Sequence, residues 1–254
     1  MSRYLPCLLL LCAVGASGMT VAKAAEQDET LIFAYGRHDG PPHAFMRERE
    51  PRQLYGGILH DVGEAVGERL GIPVRFVEAP RARLVRWLIE GRVHAHCELN
   101  PLWVGNNPQL LWSGAVFSSA DRFYLNQKRS ASVQTHDDLK GLRVGGLKSY
   151  TYSDELTQRV SDGEVIRVDA ASAQQLMGML QRGRIDAMLL DEIVADYLLT
   201  LEPHALAGSP LEDSRLSRYC AYSPLAPVAI ERFSEVIQQL VDEGRIQEIM
   251  QRYQ

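Results

Sequence analysis

The sequence predicts an α/β protein built as two lobes of similar construction, and three observations carry that prediction. The first is the stretch from Ser172 to Leu199. Leu176, Met177 and Leu180 are spaced as the inward face of a helix that ends at Gly183. Ile185 to Leu190 is then an apolar run of strand length, as expected for a parallel strand covered on both faces. Asp191 stands at the carboxyl end of that strand, where open α/β sheets present ligand-binding groups, and a second helical pattern runs from Ile193 to Leu199. The second observation is an earlier copy. Leu84, Val85, Leu88 and Ile89 followed by Gly91-Arg92-Val93-His94-Ala95 align with Leu176, Met177, Leu180 and Gln181 followed by Gly183-Arg184-Ile185-Asp186-Ala187. The third is size: 254 residues, 46% hydrophobic and 23% charged, suit one large or two small domains. Two such lobes leave a cleft between them, the usual place for a small ligand.

Residues 1–24 read as a cleaved secretory signal. Arg3 gives the positive start, Leu8 to Val14 the apolar core, and Ala22-Lys23-Ala24 the small-residue site before Ala25. A lipid anchor on Cys12 is the rival, opposed by the bulky Leu11 where a small residue is needed. The expected product is exported. Losing Arg3 and Lys23 and no acid takes the formal charge from −5 to −7, and no basic block remains for nucleic acid. Cys7 and Cys12 leave with the signal. Cys97 and Cys220 remain in an oxidising compartment, either as two buried thiols or, the favoured reading, as one bridge.

In order along the chain, Leu31 to Tyr35 reads as a strand stopped by Gly36. The glycines and prolines of Gly36 to His43 predict an irregular loop. Gly57 to Leu70 is an amphipathic helix with Val62, Ala65, Val66 and Leu70 inward and Gly71 past its end. Ile72 to Val77 is a strand, Arg81 to Glu90 a helix and Val93 to Leu99 a strand. Trp112 to Asn126 mixes aromatic and small residues without helical period and reads as an extended crossing between lobes. Asp137 to Lys140 forms a short helix, Leu142 to Leu147 a strand, Tyr152 to Val160 a helix and Glu164 to Val168 a strand. Arg218 to Ser223 is the return crossing. Phe233, Val236, Ile237, Leu240 and Val241 mark a last helix that packs back on the first lobe.

The order of motifs resembles the family 3 periplasmic solute-binding proteins, the amino-acid-binding components of ABC importers. The matching pieces are Pro41-Pro42-His43-Ala44-Phe45, Gly57-Ile58-Leu59-His60-Asp61, and Arg83-Leu84 through Gly91-Arg92-Val93. Asp138 through Gly145, Gly183 through Ala187, and Asp242-Glu243-Gly244 through Tyr253 complete the set. The resemblance implies a two-lobed periplasmic binding protein fold of type II with two crossing hinge strands. Residues 25–118 with 224–254 would form the first lobe, and residues 119–223 the second with its crossings. It further implies a monomer without cofactor or metal that docks transiently on a membrane ABC permease, or on a receptor if the protein is a sensor.

Carried over position by position, the resemblance places Asp191 where the family holds an ammonium. Tyr150, Thr151 and Tyr152 fall at the helix start that offers backbone N–H groups to a carboxylate. The family's carboxylate-binding Arg falls on Asn106 and its stacking aromatic on Arg81. Arg37, His38 and Asp39 occupy the pocket loop, and Glu98 and Asn100 replace small hydroxyl residues. Arg81 or Arg37 could supply the lost guanidinium from another wall. Alternatively the ligand presents an acid to Arg37 and an amine to Glu98 or Asp191.

Plainer roles compete. Asp191 also suits a helix N-cap before Ile193. His94 and His96 alternate on a covered strand and are expected as core or hydrogen-bonded histidines rather than metal ligands. His38, Asp39 and His43 suit ligand contact better than metal. An exported enzyme of the same fold, resembling cyclohexadienyl dehydratase with Glu98 as general acid, is the alternative function.

Overall fold

The computed structural model describes residues 30–47, 53–148, 150, 152–201 and 205–254. The expected signal and Thr151 lie outside the described residues. The first half runs β1 (Leu31–Tyr35), a single turn α1 (Gly40–His43), a hairpin of β2 (Phe45–Met46) and β3 (Leu54–Gly56), then α2 (Ile58–Leu70), β4 (Val74–Glu78), α3 (Arg81–Ile89) and β5 (Ala95–Leu99). The long β6 (Leu111–Asn126) leads, through the turn α4 (Gln127–Ser130), into the second half. There follow β7 (Arg143–Leu147), α5 (Asp154–Ser161), β8 (Ile166–Ala170), α6 (Ala173–Gln181), β9 (Ala187–Asp191) and α7 (Glu192–Leu201). The equally long β10 (Leu206–Tyr222) returns, and α8 (Ile230–Asp242) and α9 (Arg245–Gln251) close the chain.

One sheet runs through both lobes in the order β4-β1-β5-β10-β6-β9-β7-β8. β1 is parallel to β4 and β5, and β7 to β8 and β9, while β6 and β10 run antiparallel to each other and to their other neighbours. Each lobe is thus a β-α-β-α-β unit whose third strand meets a crossing strand.

The repeat is structural down to single bonds. Gly91 (φ 68°) and Gly183 (φ 65°) each turn the chain from helix to strand through the left-handed region, where a side chain is unfavourable. His94 N then donates to Ile32 O at 2.7 Å and Asp186 N to Arg143 O at 2.8 Å, the same bond in each lobe. Both ladders begin at the following alanine, two residues later than the apolar pattern suggests. Val93 and Ile185 are buried without being paired.

Helices cover both faces of each half-sheet. Leu31, Phe33, Val62, Val66, Phe233, Val236 and Ile237 form the first lobe's main core, with Tyr222 stacked on Phe233 at 4.2 Å. Hence α8 packs back as its apolar stripe predicts. Ile193 of α7 belongs to the same cluster, and the Phe45 ring meets Tyr197 edge-on at 5.7 Å, so the lobes touch. Cys97 on β5 and Cys220 on β10 are joined by a disulfide.

Other elements also differ from expectation, β8 among them at Ile166–Ala170. β4 starts at Val74 because Pro73 has no N–H to give a ladder. α5 starts at Asp154, since Ser153 caps it by accepting from Leu156 N at 3.1 Å. The loop expected after β1 ends in the turn Gly40–His43. β10 begins twelve residues before the expected crossing, at Leu206.

Candidate functional site

The first wall of the site comes from the loop after β1 and from β5. Asp39 Oδ2 accepts from Gly36 N at 2.6 Å, which folds the loop back on the strand end. His96 Nε2 lies 3.3 Å from the same oxygen and His38 Nε2 3.3 Å from Oδ1, with the two imidazoles stacked at 6.2 Å. The ligating atoms of His38, Asp39 and His96 all lie within 4.8 Å. Glu98 N donates to His96 Nδ1 at 3.3 Å, so the proton of that ring sits on Nε2 and is shared with Asp39. The trio therefore reads as a hydrogen-bonded chain. His94 is likewise hydrogen-bonded, accepting from Ile32 N at 3.1 Å. Beside the trio, buried His43 pairs with Glu98. Burial works against the His43 cation, but the charge and hydrogen bond of Glu98, with Asp191 and Asp39 behind it, push its pKa up to about 9.

The opposite wall and the floor come from β9 and the crossing strands. Asp191 Oδ1 accepts from Ile193 N at 3.0 Å, the expected cap. Its Oδ2 accepts from Ser119 Oγ at 2.5 Å and from Arg218 Nη2 at 3.0 Å. Arg218 is buried, its guanidinium 4.5 Å from the centre of the Trp103 ring. Asp121 stands opposite Asp191 in the β6–β9 register. It accepts from Tyr150 Oη at 3.3 Å on both oxygens and from Ser214 Oγ at 3.1 Å on Oδ2. Burial first, and then the Asp191 charge, raise the Asp121 pKa to about 6. Behind this floor, Arg122 bridges Glu192 and Glu212 at 3.3 and 2.5 Å, and Arg215 joins the same two acids, tying β6, β10 and α7 together.

Of the residues expected in the site, Asp191, Glu98, His38 and Tyr150 converge here. Arg37 and Arg81 are exposed on the rim, with Arg81 near enough to His38 for its charge to bear on that ring. Asn100 is buried and serves the backbone, accepting from Leu102 N and donating to Ser217 O, each at 2.9 Å. Asn106 is exposed at φ 51°, in the turn after the 3₁₀ helix Pro101–Val104. Tyr152 faces the second lobe's core, where its hydroxyl accepts from Leu147 N at 2.8 Å. At the start of α5 an internal carboxylate already takes the anion's place. Asp213 accepts from Ser153 N at 2.9 Å and Ser153 Oγ at 2.6 Å, and pairs with His136 at 3.0 Å.

Arg218, Asp121, Ser119, Ser214 and Trp103 were not anticipated. The available signal was an acid and an arginine inside two extended crossing segments, where buried strands seldom carry charge without cause. Two cavities lie near the charged group, the larger of them bordered by Glu192. One of about 330 Å³ sits between β6, the start of α7 and α9, lined by Phe117, Ile193, Ile246 and Met250 among others; one of about 50 Å³ lies by Tyr152 and Leu156.

No protein-family model matches the chain, and no curated protein sequence matches it. Solved structures do. The ligand-binding core of GluR0 in complex with L-glutamate superposes with a TM-score of 0.69 at 15% identity, over 90% of this chain and 99% of that one. The amino acid ABC transporter substrate-binding protein AbpA from Streptococcus pneumoniae, bound to L-arginine, gives 0.65 at 17%, over 89% and 94%. An ancestral amino-acid-binding protein described as a precursor of cyclohexadienyl dehydratase gives 0.64 at 16%, over 89% and 95%. At such identities the likeness establishes the fold, that of the two-lobed periplasmic binding proteins.

Proposed function

We propose that this chain is a periplasmic solute-binding protein that captures a small polar ligand, an amino acid or a relative of one, between its lobes for a membrane ABC importer. The observation that carries the reading is the convergence of ionisable side chains from both lobes and both crossing strands. Asp39, His43 and Glu98 approach from one side, Asp191 and Tyr150 from the other, with Asp121 and Arg218 on the strands between them. Groups that meet only where two lobes touch are the arrangement a closing cleft needs. Arg218 supplies the guanidinium missing at Asn106. Asp191 and Trp103 hold its plane, and a ligand carboxylate can take the donors they leave free. Asp191 then acts on the ligand through Arg218.

The test is a thermal-shift screen of the mature protein against amino acids, di-acids, polyamines and small peptides, followed by calorimetry on each hit. Arg218→Lys keeps the charge and loses the planar fork; it should weaken the hit about tenfold or more, equivalent to ~1.4 kcal/mol. No hit, or equal binding by the variant, overturns the reading. One observation favours an exported enzyme as the second reading: Asp121, with its pKa near 6 beside Tyr150, has the properties of a general acid. Conversion of a bound hit to product would decide for it.

A further inference from the structure

We propose that Asp121 is the cation subsite of the cleft, so that the ligand carries an ammonium or guanidinium group seated on its carboxylate. The inference rests on the solute-binding reading above and adds the ligand's charge.

The argument is a matching of partners. Asp39 is met by His38 and His96, Glu98 by His43, Asp191 by Arg218 and Ser119, and Asp213 by His136 and Ser153. Asp121 is buried like them, 7% exposed, yet among the described residues no Lys, Arg or His is ion-paired with it. Its donors are two neutral hydroxyls. Of the charges that bear on it, Asp191 and Asp213 repel a second negative charge, and Arg218, which favours its ionised form, is bonded to Asp191 and not to Asp121. A carboxylate offers about four acceptor positions, and the hydroxyls of Tyr150 and Ser214 leave room on Oδ1. A strand crossing that needed only a hydrogen-bonded polar residue here would be served by Asn, which has no charge to bury.

The location fits a ligand group rather than a lattice of structural bonds. Asp121 is on β6, Ser214 on β10, Asp191 at the end of β9, and Tyr150 just after β7. Four separate segments thus surround one carboxylate that has no ion-pair partner among the described residues, on the face that also carries Arg218. A bound cation would supply the missing charge, with Asp191 as a more distant second acid. Removal of that cation returns Asp121 toward its neutral form.

The experiment compares wild type and Asp121→Asn by calorimetry at pH 7.5 with three probes: L-arginine, putrescine and succinate. The expected result is that L-arginine or putrescine binds wild type and succinate does not. The variant should lose about thirtyfold or more for the cationic probe. Wild-type affinity should also fall about tenfold for each pH unit below 6, because the cation requires the ionised acid, and the variant should show no such slope. The apo variant should melt at or above the wild-type temperature. Equal binding by the variant overturns the assignment. So does a lower apo melting point, which would make Asp121 a structural strut. A ligand without a cationic group overturns it too while leaving the solute-binding reading intact. Failure of the whole screen to yield a ligand removes both.

Discussion

The His43–Glu98 pair makes a quantitative statement about stability. Glu98→Gln keeps the side chain's shape and removes the charge that holds the buried imidazolium. The His43 pKa moves from its ordinary value near 6.5 up to about 9, which at ~1.4 kcal/mol for each pH unit corresponds to about 3 kcal/mol. Because the folded value is the higher one, this stability is fully present below pH 6.5 and is lost as pH rises through 9. Urea unfolding of wild type should therefore lose about 3 kcal/mol between pH 6 and pH 9.5. His43→Gln, measured in parallel, removes the contribution of other groups that titrate in that window. In Glu98→Gln the same loss should vanish or reverse, since burial then dominates and holds the folded pKa below the unfolded one. The variant should also be destabilised at pH 6, where an unpaired cation is left in the interior. The imidazole titration followed by NMR gives a direct second reading. Wild-type His43 titrating below 7, or equal pH dependence in wild type and Glu98→Gln, would refute the reasoning.

The disulfide closes a loop with a sequence separation of 123, for which the chain-entropy relation gives about 5 kcal/mol; Cys97→Ala/Cys220→Ala should lose on that order in urea unfolding, and a loss under ~1 kcal/mol would contradict it. Asp121→Asn should stabilise the apo protein by up to about 3 kcal/mol at pH 7.5, from the gap between 3.8 and about 6. For an acid with a raised pKa the penalty is absent below the unfolded value and complete above the folded one, so the gain should vanish below pH 4 and be full above pH 6. The mature N-terminus in a periplasmic extract should be Ala25; a lipid-modified Cys12 would overturn the expected processing.

Much of the architecture was legible because its signals are local. Leu31–Tyr35 is a strand over the residues expected, and α2, α3, α6 and α8 carry their apolar stripes inward. The duplicated helix–Gly–Arg–strand pattern was readable because both copies need the same left-handed glycine and the same strand entry. β10 was not, beyond its last residues. Gly208, Pro210 and the charged Glu212, Asp213 and Arg215 leave no alternation to read, and only pairing with β6, interrupted by register shifts, makes the segment a strand. That pairing is non-local and leaves no period in the sequence.

The same blindness explains the site. Asp191 could be placed because a strand end in an open α/β sheet is a position defined by local pattern. Its partner could not, because Arg218 reaches it from a strand 27 residues further on. Asn106 marks the loss of a guanidinium, and the arginines nearest the expected pocket in sequence, Arg37 and Arg81, are exposed at its rim. The arginine that is buried beside Asp191 belongs to a crossing strand instead. Asp121 follows the same rule, an acid inside the other crossing. The crossing strands lie between the two half-sheets, β10 paired with β5 and β6 with β9, so charges built into them bear on both walls at once. Ionisable residues within such segments are therefore the ones to weigh first when a site of this kind departs from its expected pattern.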